Sequence, residues 1–194
     1  MTLKVQIGLP AALRGQAAAL YWQAFGGKLG FVLGPEPVAL RFLERVMRAD
    51  HVIVAVEDGQ LRGMAGFKSP QGSFAGGDLT DLAAVYGRIG GLWRGLLLGL
   101  LMHGVDNERF LLDGICVAQE ARSRGIGSRL LAAIEAEAVR RGYHAVRLEV
   151  IDDNWRARAL YERLGFEVLR RERLGPLRLV FGFAASMTMV KVLE

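Results

Sequence analysis

The sequence predicts a mixed α/β (α+β) domain, built on one mostly antiparallel sheet of six to seven strands with helices on both faces. Three observations carry this. A short apolar run over 110–117, a helical periodicity over 126–141 and a clean alternation over 145–151 form a strand–helix–strand unit, and such a crossover makes its two strands parallel neighbours. Two further runs, 52–57 and 61–67, flank Asp58-Gly59 and predict an antiparallel hairpin. Short segments near both ends supply the remaining strands.

The elements follow in order. A strand is expected over 2–7, then helices over 11–25 and 38–47. The hairpin occupies 52–68. A loop with Pro70, Gly72, Gly76 and Gly77 leads into a helical stretch over 81–102. Its most apolar part, 92–105, is too short to span a bilayer, which takes roughly 20 apolar residues. Gly91, Gly95 and Gly99 share one helix face by their spacing and permit another helix to come close. A buried internal helix is the first reading; a homodimer contact or a wall of an acceptor pocket is the sharper one. In the strand over 110–117, Phe-Leu-Leu-Asp-Gly-Ile-Cys-Val is bounded by polar residues. From Ile126, the residues Leu130, Leu131, Ile134, Ala138 and Val139 recur at helical spacing. Val146, Leu148 and Val150 share one face of the next strand. Asp152-Asp153-Asn154 is a turn and N-cap cluster. Ala157, Leu160, Tyr161 and Leu164 fall on one face of a helix over 155–164 that Gly165 ends. Strands over 167–173 and 186–193 close the sheet.

Composition bounds the rest. A chain of 194 residues is expected to form one domain over 1–194 with a sizeable core. At 52% hydrophobic and 23% charged residues it is globular rather than disordered. The single cysteine, Cys116, cannot form an internal disulfide, which suits a reducing cytoplasm. With three scattered histidines, no metal-ligand cluster is expected. Polar residues and Pro10 interrupt the N-terminal apolar stretch, so no secretory signal or membrane association is expected. The net charge of +5 comes with arginines grouped at 122–141 and 156–173. Such a surface attracts phosphates, but no nucleic-acid motif or aromatic platform accompanies it, and a solvated face is the simpler reading.

Arg122-Ser123-Arg124-Gly125-Ile126-Gly127-Ser128 joins a strand to a helix start. Backbone N–H groups there are free and the helix dipole is positive, and glycine lets an oxygen approach closely. The loop therefore reads as an anion cradle suited to a pyrophosphate. It lacks the Gly-Lys-Ser/Thr of a Walker loop. A dinucleotide fingerprint needs a third glycine where Leu130 stands and follows its strand directly, so an oxidoreductase is a distant alternative. Glycines that merely start a helix remain an equal reading of this loop alone, and an isolated tyrosine such as Tyr161 is more often a core residue.

Taken together, Arg122-x-x-Gly125-x-Gly127 and Asn154-x-x-Ala157-x-x-Leu160-Tyr161-Glu162, closed by Gly165-Phe166, resemble the two motifs of the GNAT superfamily of N-acetyltransferases. The close match covers roughly 111–166, and the 52–67 hairpin adds weaker support. The resemblance implies an acyl-CoA-dependent N-acetyltransferase in which two parallel strands splay apart around the pantetheine arm of acetyl-CoA. Backbone groups of Ile115, Cys116 and Val117 would pair with the pantetheine amides, and Asn154 would hydrogen-bond that arm. The loop of Arg122, Ser123, Arg124, Gly125, Ile126, Gly127 and Ser128 would hold the pyrophosphate.

The resemblance further implies direct attack by an acceptor amine, with Tyr161 as acid to the departing thiolate and no enzyme nucleophile. The run Leu148-Glu149-Val150 resembles the ribosomal-protein acetyltransferases, which makes Glu149 the candidate base and Asp113 its rival. A free carboxylate is a weak base at neutral pH, so such a step calls for a strengthened carboxylate or a relaying water; a solvated acid beside Arg147 is the plain alternative for Glu149. The acceptor, a small-molecule or peptide amine, is not identified by the resemblance. A non-catalytic acyl-CoA sensor of the same fold is the alternative function.

Overall fold

A computed structural model describes residues 2–101, 108–175 and 178–193. The strands are β1 (Lys4–Ile7), β2 (Val52–Glu57), β3 (Gln60–Ser69), β4 (Gly72–Ser73), β5 (Phe110–Val117), β6 (Ala145–Ile151), β7 (Glu167–Arg173) and β8 (Ala185–Val192). They form one sheet in the order β1-β2-β3-β5-β6-β8-β7, with the two-residue β4 on β3. Apolar content fixes the order. β2 and β3 are buried along nearly their whole length and sit inside the sheet. β7, Glu-Val-Leu-Arg-Arg-Glu-Arg, is almost wholly exposed and forms an edge, where charged side chains discourage pairing with other chains. Only β5 and β6 run parallel among the described pairs.

The helices are α1 (Arg14–Leu33), α2 (Glu36–Val46), α3 (Leu79–Leu101), α4 (Ile126–Arg140), α5 (Trp155–Arg163) and α6 (Arg178–Phe181). α4 is the crossover between the parallel strands. Its apolar face, Leu130, Leu131, Ile134 and Ala138, is fully buried with Val146 and Leu148 in the main core. No described helix is long and apolar enough to cross a membrane.

Two helices differ from expectation. α1 does not stop at Phe25 but runs through Gly26, Gly27 and Gly30 to Leu33. Its second half buries Val32 and Leu33 in a separate core with Phe42, Leu82 and Phe181, and that burial outweighs the glycines' low helix propensity. α3 is two arms meeting at Gly87, which has φ +74 and ψ 166. The arms fold onto each other: a Cβ at Gly91 would lie 2.7 Å from the Ala83 nitrogen, and one at Gly95 would strike Leu79. The close approach that the glycine stripe permits is thus used within α3. The opposite face, Ile89, Leu92 and Leu96, is exposed, so this is not the buried internal helix that its composition suggests. The remainder of 92–105 beyond Leu101 lies outside the described residues.

Phe110 opens β5 at the only stretch where β5 and β6 pair. It is fully buried, with ring centroids 5.0 Å from Phe67 and 5.4 Å from Tyr143. Phe110→Ala should lower unfolding free energy by about 3–5 kcal/mol, as large-to-small core changes do, measured by urea denaturation.

Candidate active site

The parallel pairing of β5 and β6 covers three rungs: Phe110↔Val146, Leu111↔Arg147 and Leu112↔Leu148. Beyond them the strands diverge. β5 stays bonded to β3 on its outer side, through Gly63↔Val117, and β6 stays bonded to β8 through Ile151↔Ser186. The register between β3 and β5 jumps between Gly66↔Gly114 and Phe67↔Leu112, leaving Asp113 as the extra residue of a bulge. A bulge bends its strand and re-aims a side chain. Residues 113–117 therefore present to β6 an edge without strand partners.

A cavity of about 1230 Å³ fills this gap. One end meets the N-terminus of α4. Gly125, the N-cap, has φ +75, a left-handed conformation that suits glycine, and Ser123 has φ +63. Ser123, Gly125, Ile126, Gly127 and Ser128 line the cavity, and so does Arg122, whose Nε donates to the Val117 carbonyl at 3.3 Å. The first-turn N–H groups of α4 lack helical acceptors, and they supply the positive end of the dipole there. Gly127 permits a close approach of a different kind: a Cβ would come 3.3 Å from Leu160 of α5. Arg124 stands apart. Its guanidinium donates to both carboxylate oxygens of Glu57 at 3.0 and 2.6 Å, tying the loop to the end of β2. Its side chain is not among the groups lining the cavity.

The other predicted residues converge on the same space. Ile115, Cys116 and Val117 line it from β5, and Glu149 lines it from β6. Glu149 lies on the face opposite the buried Leu148 and Val150 and pairs with Arg147 at 3.0 Å. Asn154 also lines the cavity, and its Oδ1 accepts from the Ala157 N–H at 3.3 Å as the N-cap of α5. Tyr161 lines it too, buried beside Phe166 with centroids 5.9 Å apart. Burial pushes the Tyr161 phenol up to about 12, so it holds its proton at neutral pH. Burial likewise raises the Cys116 thiol to about 12, which leaves little thiolate for nucleophilic attack.

Sequence reasoning missed what α1 brings. Tyr21, Phe25 and Lys28 line the cavity from that helix, which carries no motif and was expected to end at residue 25. Desolvation, then the nearby Asp113 and Cys116, raises the Tyr21 phenol. A second set of suggestive residue types proves structural. Asp50 Oδ1 lies 2.9 Å from His51 Nδ1, and His51 Nε2 lies 2.9 Å from Ser69 Oγ. Ser69 is buried away from the cavity lining and donates to Gln71 Oε1 at 2.8 Å, so it has no substrate to meet.

Asp113 is open to water through the cavity, but the protein around it desolvates its carboxylate. That desolvation raises its pKa above the ordinary 3.8, with Glu149 adding to the rise and Lys68 and an Ala75 backbone hydrogen bond opposing it. A carboxyl raised on folding favours the protonated state, so the folded chain is penalised as pH climbs past 3.8 and the acid ionises. Asp113→Asn should therefore raise the melting temperature at neutral pH, and the gain should vanish below about pH 3.8. Thermal melts across pH check this.

A family model described as the acetyltransferase (GNAT) family matches residues 16–166, more than half of the chain. Solved structures share the fold. An N-acetyltransferase from Staphylococcus aureus Mu50 superposes with a TM-score of 0.66 at 14% identity, covering 96% of this chain and 99% of that one. The ribosomal-protein-S18-alanine N-acetyltransferase from Escherichia coli does so with a TM-score of 0.61 at 17% identity, covering 100% and 95%. A GNAT family acetyltransferase from Elizabethkingia anophelis with acetyl-CoA bound gives 0.50 at 12% identity, covering 73% and 75%.

Proposed function

The chain belongs to the acetyltransferase (GNAT) family, and from that footing we propose that residues 1–194 act as one N-acetyltransferase domain, moving an acetyl group from acetyl-CoA directly to a primary amine. The observation that carries this reading is the open edge of β5 at 113–117, facing a cavity that ends at the glycine-bounded start of α4. Free strand N–H and C=O groups suit an extended chain with amides of its own, as pantetheine is. The α4 terminus suits the pyrophosphate. The bound acetyl-CoA of the Elizabethkingia relative supports the same choice of co-substrate.

On this reading a β5 backbone N–H near Ile115–Val117 polarises the thioester carbonyl as negative charge develops on its oxygen. The amine nitrogen attacks the carbonyl carbon and forms the C–N bond. A carboxylate, Glu149 before Asp113, takes the proton that the nitrogen sheds. The C–S bond then breaks, its electron pair leaves with sulfur, and Tyr161 protonates the thiolate. Tyr161 holds its proton at neutral pH and so has one to give, while burial, by raising the phenol, makes it a weaker acid than an exposed tyrosine. With Cys116 held as a thiol, direct transfer needs no acyl-enzyme.

Thiol release from acetyl-CoA across an amine library tests the function. Transfer to at least one amine is expected, and CoA binding without transfer to any would make the chain an acyl-CoA sensor. With a working acceptor, Tyr161→Phe should slow single-turnover transfer by roughly 10²-fold, the lower end for general acid–base groups because thiolate leaves readily. A wild-type chemical rate would reduce Tyr161 to a packing residue.

Glu149→Gln should slow transfer most at low pH, where the amine is protonated and needs a base, and the deficit should shrink as free amine accumulates. The same fold-loss at every pH would make Glu149 a positioning residue and shift the base to Asp113.

A further inference from the structure

Lys28 is one of the charged cavity-lining groups that the acyl-transfer chemistry leaves unused, with Lys68, Asp78, Arg156 and Arg163. It lies on the cavity-lining face of α1 with Tyr21, Phe25 and Leu29. Two of these residues sit over the open edge of β5. Tyr21 sits in the field of Asp113 and Cys116. The Phe25 ring covers Gly114, where a Cβ would come 3.0 Å from its Cζ. Lys28 follows one turn later, toward the second core. Its Nζ stands 5.8 Å from the Phe25 ring centroid and 5.7 Å from that of Phe183. Among the described residues no carboxylate lies within ion-pairing distance of it. The surrounding cavity wall is apolar: Leu29, Leu33, Phe42, Leu82 and Leu98.

The remaining charges of this half of the cavity lie elsewhere. Asp113 and Glu149 sit at the splay, Lys68 acts on Asp113, and Asp78 sits exposed at the start of α3, where its Oδ1 accepts from the Asp81 N–H at 2.9 Å. Carboxylates thus stand at the splay, and an ammonium stands one turn of α1 beyond the ring that covers Gly114, among apolar side chains. Burial lowers the Lys28 pKa, the sign of a cation held without an anion to offset its desolvation. An acceptor that is apolar throughout would desolvate Lys28 further and leave it unpaired, and a polyamine would bring a like charge beside it. An anionic group on the acceptor resolves both, through a charge-assisted hydrogen bond.

We propose that the acceptor is an apolar primary amine that also carries a carboxylate, and that Lys28 binds the carboxylate while the amine sits between Asp113 and Glu149. This rests on the acyl-transfer reading of the same cavity. Lys28 would then set specificity without touching the transferred group.

Matched amines that differ only by a carboxylate at the far end of an apolar chain test it: 5-aminopentanoate against butylamine, 6-aminohexanoate against pentylamine, and 8-aminooctanoate against heptylamine. Each is titrated calorimetrically into CoA-saturated protein and separately assayed for acetylation. At least one carboxylated member should bind roughly tenfold or more tightly than its twin, the scale of a hydrogen bond between charged groups. Lys28→Met should abolish that preference without lowering melting temperature or CoA affinity, and Lys28→Arg should retain it. No preference in any pair, or a preference that survives Lys28→Met, overturns the proposal. Acetylation without carboxylate preference sinks this assignment and leaves acyl transfer standing. Lys28-dependent carboxylate binding with no acetylation of any amine supports the seat and sinks acyl transfer instead.

Discussion

The cavity in this fold depends on a parallel strand pair that is allowed to form only three rungs. β5 and β6 are joined from Phe110↔Val146 to Leu112↔Leu148 and then part. The separation is enforced from outside the pair. β3 keeps its hold on β5 up to Val117, and β8 keeps its hold on β6 up to Ile151, so each strand has a stronger neighbour to follow than the other. The Asp113 bulge supplies the bend. Unpaired backbone groups are costly when buried dry, so such a gap persists where water or a ligand satisfies them. In the proposed function, pantetheine is that ligand and acts as a temporary strand.

The same bulge couples structure to chemistry. It places Asp113 in the cavity wall, where desolvation raises its carboxyl and Glu149 raises it further. Beside the bulge, Gly114 carries no side chain, so the Phe25 ring can lie against the strand. At the other end of the gap, Glu57 fixes Arg124 and thereby the loop that precedes Gly125. The loop proposed as the anion cradle is thus held by an ion pair pointing away from the cavity. That pair gives an arginine in the middle of the proposed pyrophosphate loop a part in the loop's shape.

Legibility in the sequence followed how local each signal was. The hairpin about Asp58-Gly59, the crossover helix and the N-cap Asn154 were all readable, because each is written in a few adjacent residues whose conformational preferences agree with the final fold. The bulge at Asp113 was not, since it exists only in the register of β5 against β3. Nor was the reach of α1. Gly26, Gly27 and Gly30 argue locally for a stop, and only the distant Phe42, Leu82 and Phe181 make the continuation favourable. The glycine stripe of α3 was correctly read as a site of close approach, but its partner was the helix's own first arm, reached through the positive φ of Gly87. Periodicity shows a face and does not show what will cover it.

This division between local and distant signals maps onto the division of labour in the site. The residues proposed to hold the co-substrate lie on β5, α4 and α5, where short motifs dictate geometry. The wall that would select the acceptor comes from α1, α2 and α3, whose positions depend on long-range packing and which carry no motif. A family can therefore keep one acyl donor while changing acceptors, because the second wall can be rebuilt without disturbing the splay. In this chain, that wall brings together aromatic rings, aliphatic side chains and a lysine with no carboxylate partner among the described residues. On the proposed function the splay and the α4 start would choose the acyl donor, and the α1 face from Tyr21 to Lys28 would choose the molecule that receives the group.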